Sequence, residues 1–291
     1  MRILLFGADG QVGREVRARA HGDDELVAIG RGDADLMNAG AAREQIARVR
    51  PKAIINAAAY TNVDGAENDL AAADRINAGA VKEMALAAKD YGAAFVHIST
   101  DYVFDGASGA PLKETSPAGP LNAYGRSKLN GETLALAANP LSVILRTSWV
   151  YSAYGKNFLK TMLRLSSERE TLTIVDDQVG GPTPASAIAE AALTIATAKS
   201  NGATRKEVMG GVYHFQGAPA VSWAGFAQAI FDAAGADVKI TKIPTSAFET
   251  PAKRPLYTVL DCSRILRDFG IEQPDWRAGL PDLIGALKET N

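Results

Sequence analysis

Cysteine and histidine are scarce in this chain. Cys262 is the only cysteine among 291 residues, so an internal disulfide is excluded and a reducing compartment such as the cytoplasm is expected. The three histidines, His21, His97 and His214, lie far apart in the sequence. No cluster of Cys and His with the spacing of a zinc site exists, and we predict no metal site.

The chain also lacks long apolar runs and an excess of either charge. No run of about 20 apolar residues is present, and the N-terminal apolar segment is too short for a signal sequence, so we expect a soluble, cytoplasmic protein. Lys and Arg number 31 against 33 for Asp and Glu, without long runs of one sign. This balance argues against nucleic acid or an anionic membrane as a partner and favours small molecules or other subunits.

Short apolar segments alternate with longer helical segments over the first half of the chain. Such alternation is typical of an α/β fold with a doubly wound parallel sheet, the Rossmann fold, whose strands are covered on both faces. We predict a dinucleotide-binding domain over residues 1–150 and, over residues 151–291, mainly a smaller substrate-binding lobe with some segments returning to the first domain. The predicted strands are ILLF, ELVAI, AIIN, AAFVHIS and SVILRT, and a helix is predicted over residues 121–138.

A glycine-rich segment follows the first predicted strand directly. In FGADGQVGRE, Gly7, Gly10 and Gly13 flank Gln11 and Val12 and lead into the first predicted helix. Glycines there permit a tight turn and a close approach of backbone N–H groups to a pyrophosphate. The alternative is an ordinary strand-to-helix turn, but the position after the first strand favours a dinucleotide site.

The residues after the second predicted strand bear on which dinucleotide is bound. An NAD-type site usually carries an acidic residue there, whereas this chain has Gly30 and then Arg31. A guanidinium favours a 2′-phosphate, so we predict NADPH, with NADH as an alternative if Arg31 is only a solvated loop residue. Asp35 comes too late to be the usual ribose ligand, and we expect it to flank the adenine together with Leu36.

Two further groups of polar residues point to the same edge of the sheet. Tyr124 and Lys128 are four residues apart in a predicted helix and project from one face, where a lysine charge can lower the pKa of a phenol. Thr100 and Asp101 stand at the end of the fourth predicted strand. The alternative for Tyr124 and Lys128 is an ordinary solvated i,i+4 pair, and the alternative for Thr100 and Asp101 is a helix or turn cap. Because carboxyl ends of parallel strands meet at one edge, the glycine turn and these residues are expected to form one pocket.

The glycine turn together with Tyr124-x-x-x-Lys128 resembles the extended short-chain dehydrogenase/reductases. Within them, five segments between Met1 and about Ala185 are similar to the dTDP-4-dehydrorhamnose reductases: NAAAYTNVDGAE, ISTDYVFDG, YGRSKLNGE, LRTSWVYSAYGKNF and DDQVGGPTP. The resemblance implies reduction, with NADPH, of the 4-keto group of dTDP-4-dehydrorhamnose to give dTDP-L-rhamnose. It implies that Tyr124 protonates the carbonyl oxygen, Lys128 tunes the phenol and holds the nicotinamide ribose, and Thr100 hydrogen-bonds the reacting oxygen.

The resemblance also implies ligands for the rest of the site. Asp101 and Trp149 would contact the nucleotide-sugar substrate, although Trp149 could instead be a core residue. The residues that would line the cofactor after the third strand are Ala57, Ala58, Ala59, Tyr60 and Thr61. Arg254 is a candidate diphosphate ligand, but KRPLYTVLDCS carries Tyr257 and Thr258 where relatives commonly have a polar pair.

Assembly and two other functions remain open at this point. Some relatives dimerise through a divalent metal such as magnesium; Glu15 lies on the matching helix, but we interpret it as a surface residue and predict a homodimer only by analogy. One alternative function is a non-catalytic, dinucleotide-binding regulatory subunit. Another is a reductase or epimerase that acts on a different nucleotide sugar.

Overall fold

The N-terminal half alternates strands and helices, as the apolar segments predict. The computed structural model describes residues 1–20, 24–200 and 210–289, so His21 lies outside the described residues. Over the first 150 residues the elements are β1 (Arg2–Phe6), α1 (Gln11–Arg19), β2 (Glu25–Ile29), α2 (Ala41–Val49), β3 (Ala53–Asn56), α3 (Val63–Ala66), α4 (Leu70–Asp74), a π-helical turn (Arg75–Gly79), α5 (Ala80–Asp90), β4 (Ala94–Thr100), a 3-10 turn (Asp101–Val103), α6 (Ala123–Ala138) and β5 (Val143–Thr147).

The C-terminal half has shorter strands and less regular order. Its elements are β6 (Val150–Tyr151), α7 (Phe158–Ser166), β7 (Thr171–Val175), β8 (Val179–Gly180), β9 (Thr183–Pro184), α8 (Ala185–Ser200), β10 (Gly211–His214), β11 (Val221–Ser222), α9 (Trp223–Ala234), β12 (Lys239–Ile243), a 3-10 turn (Thr245–Ala247), α10 (Ser263–Phe269) and α11 (Leu280–Glu289). None of the helices in the described ranges has the length and apolarity needed to cross a bilayer.

The central sheet has six parallel strands in the order β2, β1, β3, β4, β5, β10. Its two faces are both buried, because Ile3 and Leu5 pack into a core with α1 and α8 while Leu4 and Phe6 pack into a second core with α2 and α5. The predicted doubly wound parallel sheet is confirmed. The strand order reverses between β1 and β3, which is where ligands bind in open sheets of this kind.

A third core belongs to the C-terminal half. It joins α7, α9 and α11 around buried aromatic side chains such as Tyr151, Phe226 and Trp276. Two C-terminal elements lie with the central sheet instead: β10 pairs with β5, and α8 packs against α1 and against β3 and β4 of the sheet. The division at residue 150 remains a prediction.

Candidate active site

A cavity of about 830 Å³ lies at the carboxyl ends of the central strands. It opens where the strand order reverses, between β1 and β3. The predicted site residues that line it are Gly7, Gly10, Gln11, Val12, Arg31, Asp35, Leu36, Ala57, Ala58, Ala59, Tyr60, Thr61, Thr100, Asp101, Tyr124, Lys128 and Trp149. Gly13 and Arg254 are absent from the lining. The structure therefore brings together residues that the sequence spreads over more than 140 positions.

The turn between β1 and α1 is shaped by glycines. Gly7 has a φ of +81°, and a Cβ there would lie 2.5 Å from the backbone nitrogen of Ala58. A Cβ on Gly13 would overlap the carbonyl oxygen of Gly7, so Gly13 acts beneath the turn rather than in the cavity wall. Gly10 precedes α1 without a side-chain cap, and no acidic residue stands in the first turn. Such a turn suits a pyrophosphate, because the first N–H groups of a helix have no partner within it and the positive end of the helix dipole attracts an anion.

The cavity end that lies after β2 carries a guanidinium and several carboxylates. The Arg31 side chain is 80% exposed and lies 3.6 Å from the carboxylate of Asp35. Gly30 donates its N–H to Asp33 Oδ2 over 2.8 Å, and a Cβ on Gly30 would meet Asp9 Oδ2 at 2.5 Å. The predicted guanidinium is present at the rim, but the carboxylates of Asp9 and Asp33 beside it were not predicted.

Thr100 is the last residue of β4 and Asp101 begins the 3-10 turn that follows it, and both are buried. The Thr100 hydroxyl accepts a hydrogen bond from the backbone of Tyr102 and donates one to Asp101 Oδ1 over 3.1 Å, so it also caps the turn. Asp101 is 2% exposed, and its Oδ2 atom has no hydrogen-bond partner among the described residues. Burial raises the pKa of the Asp101 carboxyl to about 6, although the hydroxyls of Thr258 and Thr100 favour the ionised form.

The helix α6 carries Tyr124 and Lys128 toward the cavity. Asn122 begins this helix by accepting the N–H of Gly125 over 2.8 Å. Desolvation raises the pKa of the Tyr124 phenol to about 12, although the Thr100 hydroxyl opposes the shift. The predicted lowering of the phenol pKa is therefore wrong, because desolvation outweighs the favourable interactions of the phenolate.

Lys128 is buried and bonded to β4. Its Nζ atom donates to the carbonyl oxygen of Ile98 over 2.7 Å and lies 3.1 Å from His97 Nε2. His97 Nδ1 lies 2.9 Å from the amide nitrogen of Asn56, at the end of β3. Burial lowers the pKa of Lys128 to about 8, and it lowers the pKa of His97 well below its usual value. Neither His97 nor Asn56 was predicted.

A buried ion pair supports α6 from below the cavity. Glu132, one turn after Lys128, accepts a 2.6 Å hydrogen bond from Nη2 of Arg146 on β5. The Ser99 hydroxyl donates to the same carboxylate over 2.5 Å. This contact joins α6, β4 and β5, and no sequence motif indicated it.

Two tryptophans stack at one side of the cavity. Trp149, with a φ of +46°, lies parallel to Trp223, with ring centroids 3.5 Å apart and an angle of 6° between the planes. A Cβ on Gly180 would lie 2.8 Å from the Trp149 ring, so the glycine makes room for it. Trp149 is partly exposed to the cavity rather than a plain core residue, and Trp223 was not predicted.

Arg254 lies beside the cavity and is held by another residue. Its two terminal nitrogens donate to the carboxylate oxygens of Asp64 over 2.8 and 2.9 Å. Burial lowers the pKa of the Arg254 guanidinium, but the contact with Asp64 raises it by more, so the net pKa is raised. Thr258 is buried near Asp101, whereas Tyr257 forms a backbone bridge with Val179.

The structure corrects the interpretation of Glu15. Only 9% of this residue is exposed, and its carboxylate is ion-paired with Arg19 on the same helix, which also bonds Glu190 on α8. Among the described ranges, no group of three or more His, Cys, Asp or Glu side chains is arranged to hold a metal ion.

Comparison with known proteins gives a consistent result. Residues 1–289 match the family model described as the RmlD substrate binding domain. The dTDP-4-dehydrorhamnose reductase of Burkholderia thailandensis is 45% identical over 286 residues, which cover 95% of this chain and 96% of the relative. That of Aggregatibacter actinomycetemcomitans is 42% identical over 290 residues, covering 97% and 98%.

Solved structures of dTDP-4-dehydrorhamnose reductases superpose closely on this chain. The dTDP-4-dehydrorhamnose reductase from Clostridium acetobutylicum has a TM-score of 0.92 at 38% identity, covering 99% of this chain and 100% of that one. The enzyme from Bacillus anthracis, solved in complex with NADP, has a TM-score of 0.90 at 33% identity, covering 98% and 99%.

Proposed function

We propose, since this chain belongs to the family of dTDP-4-dehydrorhamnose reductases, that it uses NADPH to reduce the 4-keto group of dTDP-4-dehydrorhamnose and so forms dTDP-L-rhamnose. The observation that carries this proposal is the meeting of Thr100, Tyr124 and Lys128 with the glycine turn in one cavity. These are the groups that a carbonyl reduction needs: an acid, a hydrogen-bond donor for the oxygen, and a dinucleotide site.

The backbone after β1 fits the pyrophosphate of the cofactor, because its glycines leave a cradle that side chains would fill. When bound, NADPH supplies the hydride. Arg31 would hold the 2′-phosphate at the rim, and Lys128 would hold the nicotinamide ribose next to Tyr124. Binding energy from these contacts orients the reacting carbon without taking part in the chemistry.

Tyr124 is the proposed acid. A phenol whose pKa is raised to about 12 keeps its proton at neutral pH and can therefore donate it to the carbonyl oxygen as negative charge develops there. The Thr100 hydroxyl can rotate from Asp101 toward the same oxygen and donate a second hydrogen bond. The two donors favour the reduced state of the oxygen over the carbonyl.

The remaining residues suit a nucleotide sugar. The unpartnered Oδ2 of buried Asp101 can accept a hydrogen bond from a sugar hydroxyl, which would satisfy an otherwise costly buried atom. The stacked rings of Trp149 and Trp223 offer an apolar wall. Arg254 is proposed as a diphosphate ligand, with Asp64 holding its guanidinium ready at the cavity side.

The non-catalytic alternative has no need of a complete set of Thr, Tyr and Lys around the cofactor site, which is why we favour the enzyme. We also propose that the protein acts in the cytoplasm as a homodimer, without an interface metal. Light scattering of the purified protein, with and without EDTA, tests the dimer: a metal-independent dimer is expected, and a monomer would contradict it.

The activity is tested by following NADPH absorbance in the presence of the 4-keto substrate. Tyr124→Phe is expected to lower kcat by roughly 10²–10⁴-fold, the usual effect of losing a positioned acid, with cofactor affinity retained because the ring still packs. Tyr91→Phe is the matched control, since Tyr91 is exposed at the end of α5 and should leave kcat unchanged. A parent protein that binds NADPH but reduces no nucleotide sugar would contradict the proposal.

A further inference from the structure

The turn between β1 and α1 is bonded to the end of β2. The N–H groups of Gly7 and Ala8 both donate to the carbonyl oxygen of Ile29 over 3.1 Å. Asp9 is the next residue of the turn, and its side chain lies against Gly30, where a Cβ would be only 2.5 Å from Asp9 Oδ2. The fold thus brings a carboxylate from the first turn to the end of the second strand, and both residues line the cavity.

The end of the second strand is where a dinucleotide site distinguishes the adenosine ribose. In sites for NAD, an acidic residue at this place accepts a hydrogen bond from the ribose 2′-hydroxyl. Here β2 ends at Ile29, and the next residue, Gly30, has no side chain. The carboxylate that the strand itself lacks is supplied by Asp9.

Asp9 differs from the two other carboxylates that follow β2. Asp33 Oδ2 accepts the N–H of Gly30 over 2.8 Å, and Asp33 is not part of the cavity lining. Asp35 Oδ1 accepts a backbone N–H over 3.0 Å, and its Oδ2 lies 3.6 Å from the guanidinium of Arg31. Within the described parts of the chain, no donor bonds to the carboxylate of Asp9. Its oxygens therefore remain available to donors from a ligand.

The two dinucleotides present opposite groups to this carboxylate. A 2′-hydroxyl is a hydrogen-bond donor, whereas a 2′-phosphate carries negative charge and repels a carboxylate. Arg31 on the same rim has the reverse preference, because a guanidinium binds a phosphate best. One carboxylate from the glycine turn and one guanidinium from the loop after β2 thus act on the same ribose in opposite directions.

We propose that Asp9 is a specificity-determining residue for the cofactor. It accepts a hydrogen bond from the 2′-hydroxyl of NADH and repels the 2′-phosphate of NADPH, so it limits the preference for NADPH that Arg31 provides. This inference rests on the proposed use of a nicotinamide dinucleotide, but not on which sugar is reduced.

Calorimetry with NADP⁺ and NAD⁺, without any sugar, tests this role of Asp9. At pH 8 a phosphate monoester carries close to two negative charges. Asp9→Asn keeps the shape and one acceptor oxygen but removes the charge, so we expect about tenfold tighter binding of NADP⁺ and a change of less than about twofold for NAD⁺. Asp9→Ala removes the acceptor as well, so it should also bind NAD⁺ about fivefold more weakly.

Asp33→Asn is the matched control. It removes the same charge from the neighbouring loop and keeps an acceptor for the N–H of Gly30, but this side chain lies outside the cavity lining. Because solvent and salt screen a charge that makes no contact, NADP⁺ affinity should change by less than about threefold. Asp9 and Asp33 are both exposed, so we expect both variants to fold like the parent.

Two results would overturn the proposal. One is an unchanged ratio of the NADP⁺ and NAD⁺ affinities in Asp9→Asn. The other is an equal gain in NADP⁺ affinity in Asp33→Asn, because the effect would then come from net charge and not from contact with the ribose. Both are measured without substrate and are therefore distinguishable from a failure of the reductase proposal, which appears as absent NADPH oxidation with the 4-keto sugar.

Discussion

The buried pair between Glu132 and Arg146 provides the sharpest test of how the site is supported. The two side chains expose 3% and 6% of their surface. Arg146 Nη2 donates to Glu132 Oε2 over 2.6 Å, its Nε lies 3.0 and 3.1 Å from the two carboxylate oxygens, and the Ser99 hydroxyl adds a bond of 2.5 Å. Glu132→Gln keeps the shape but leaves the guanidinium without a counter-charge in the interior.

Removing one partner of a buried pair costs about 3–5 kcal/mol. The glutamine oxygen can still accept one bond from Arg146, so we expect the lower end, about 3 kcal/mol in the free energy of unfolding. Because whole proteins are stable by about 5–15 kcal/mol, this loss is large. It also loosens the helix that carries Tyr124 and Lys128.

Equilibrium unfolding in urea measures the effect. Glu168→Gln is the matched control, because Glu168 forms an exposed pair with Arg164 on α7, and such pairs contribute about 1 kcal/mol or less. Glu132→Leu combined with Arg146→Met should recover much of the loss by replacing the pair with apolar contacts. A Glu132→Gln protein within about 1 kcal/mol of the parent would show that the buried pair does not support the fold.

Three further predictions concern the cavity. Gly13→Ala should abolish NADPH binding in a fluorescence titration, because the added Cβ overlaps the Gly7 carbonyl oxygen. Gly109→Ala is the control and should leave binding unchanged, because a Cβ there meets no atom within 4 Å. Retained NADPH affinity in Gly13→Ala would contradict the role of the glycine turn. Asp101 has a folded-state pKa of about 6, above its usual 3.8, so its ionisation costs roughly 3 kcal/mol of stability above about pH 6 and nothing below about pH 4. In urea unfolding, Asp101→Asn should therefore be more stable than the parent at pH 7 but not at pH 4. An equal gain in stability at pH 4 would rule out a cost that comes from ionisation of Asp101. Arg31→Asp should shift the ratio of affinities, measured by calorimetry, from NADPH toward NADH; an unchanged ratio would mean that Arg31 is merely solvated.

The parallel sheet could be predicted because its signals are local. Each apolar segment of four to seven residues became a strand, and the glycines after β1 formed the turn that their spacing indicates. The π-helical turn at Arg75–Gly79, which precedes α5, was not predicted. There the Asn77 side chain bonds the backbone of Tyr60 and the hydroxyl of Ser127, and such tertiary contacts have no local sequence signal.

The site was predictable where one motif contains several functional groups and not where partners are distant. Tyr124 and Lys128 share a helix face and were recognised, whereas His97 reads as an ordinary strand residue whose partner Lys128 comes 31 positions later. Trp223 is likewise unremarkable until it is found against Trp149. The pKa of Tyr124 was expected to fall because a lysine stands nearby, but desolvation is a property of the folded protein and raised it instead.

Transfer of deuterium shows whether the protein moves hydride from NADPH to C4 of the sugar. The protein is incubated with the 4-keto nucleotide sugar and with NADPH that carries deuterium at the transferable position of the nicotinamide, and the product is analysed by NMR and mass spectrometry. We expect one deuterium on C4 of the product sugar, formed quickly by the parent and by Tyr91→Phe and slowly by Tyr124→Phe. A product without deuterium on C4, or equal rates for the parent and Tyr124→Phe, would contradict it.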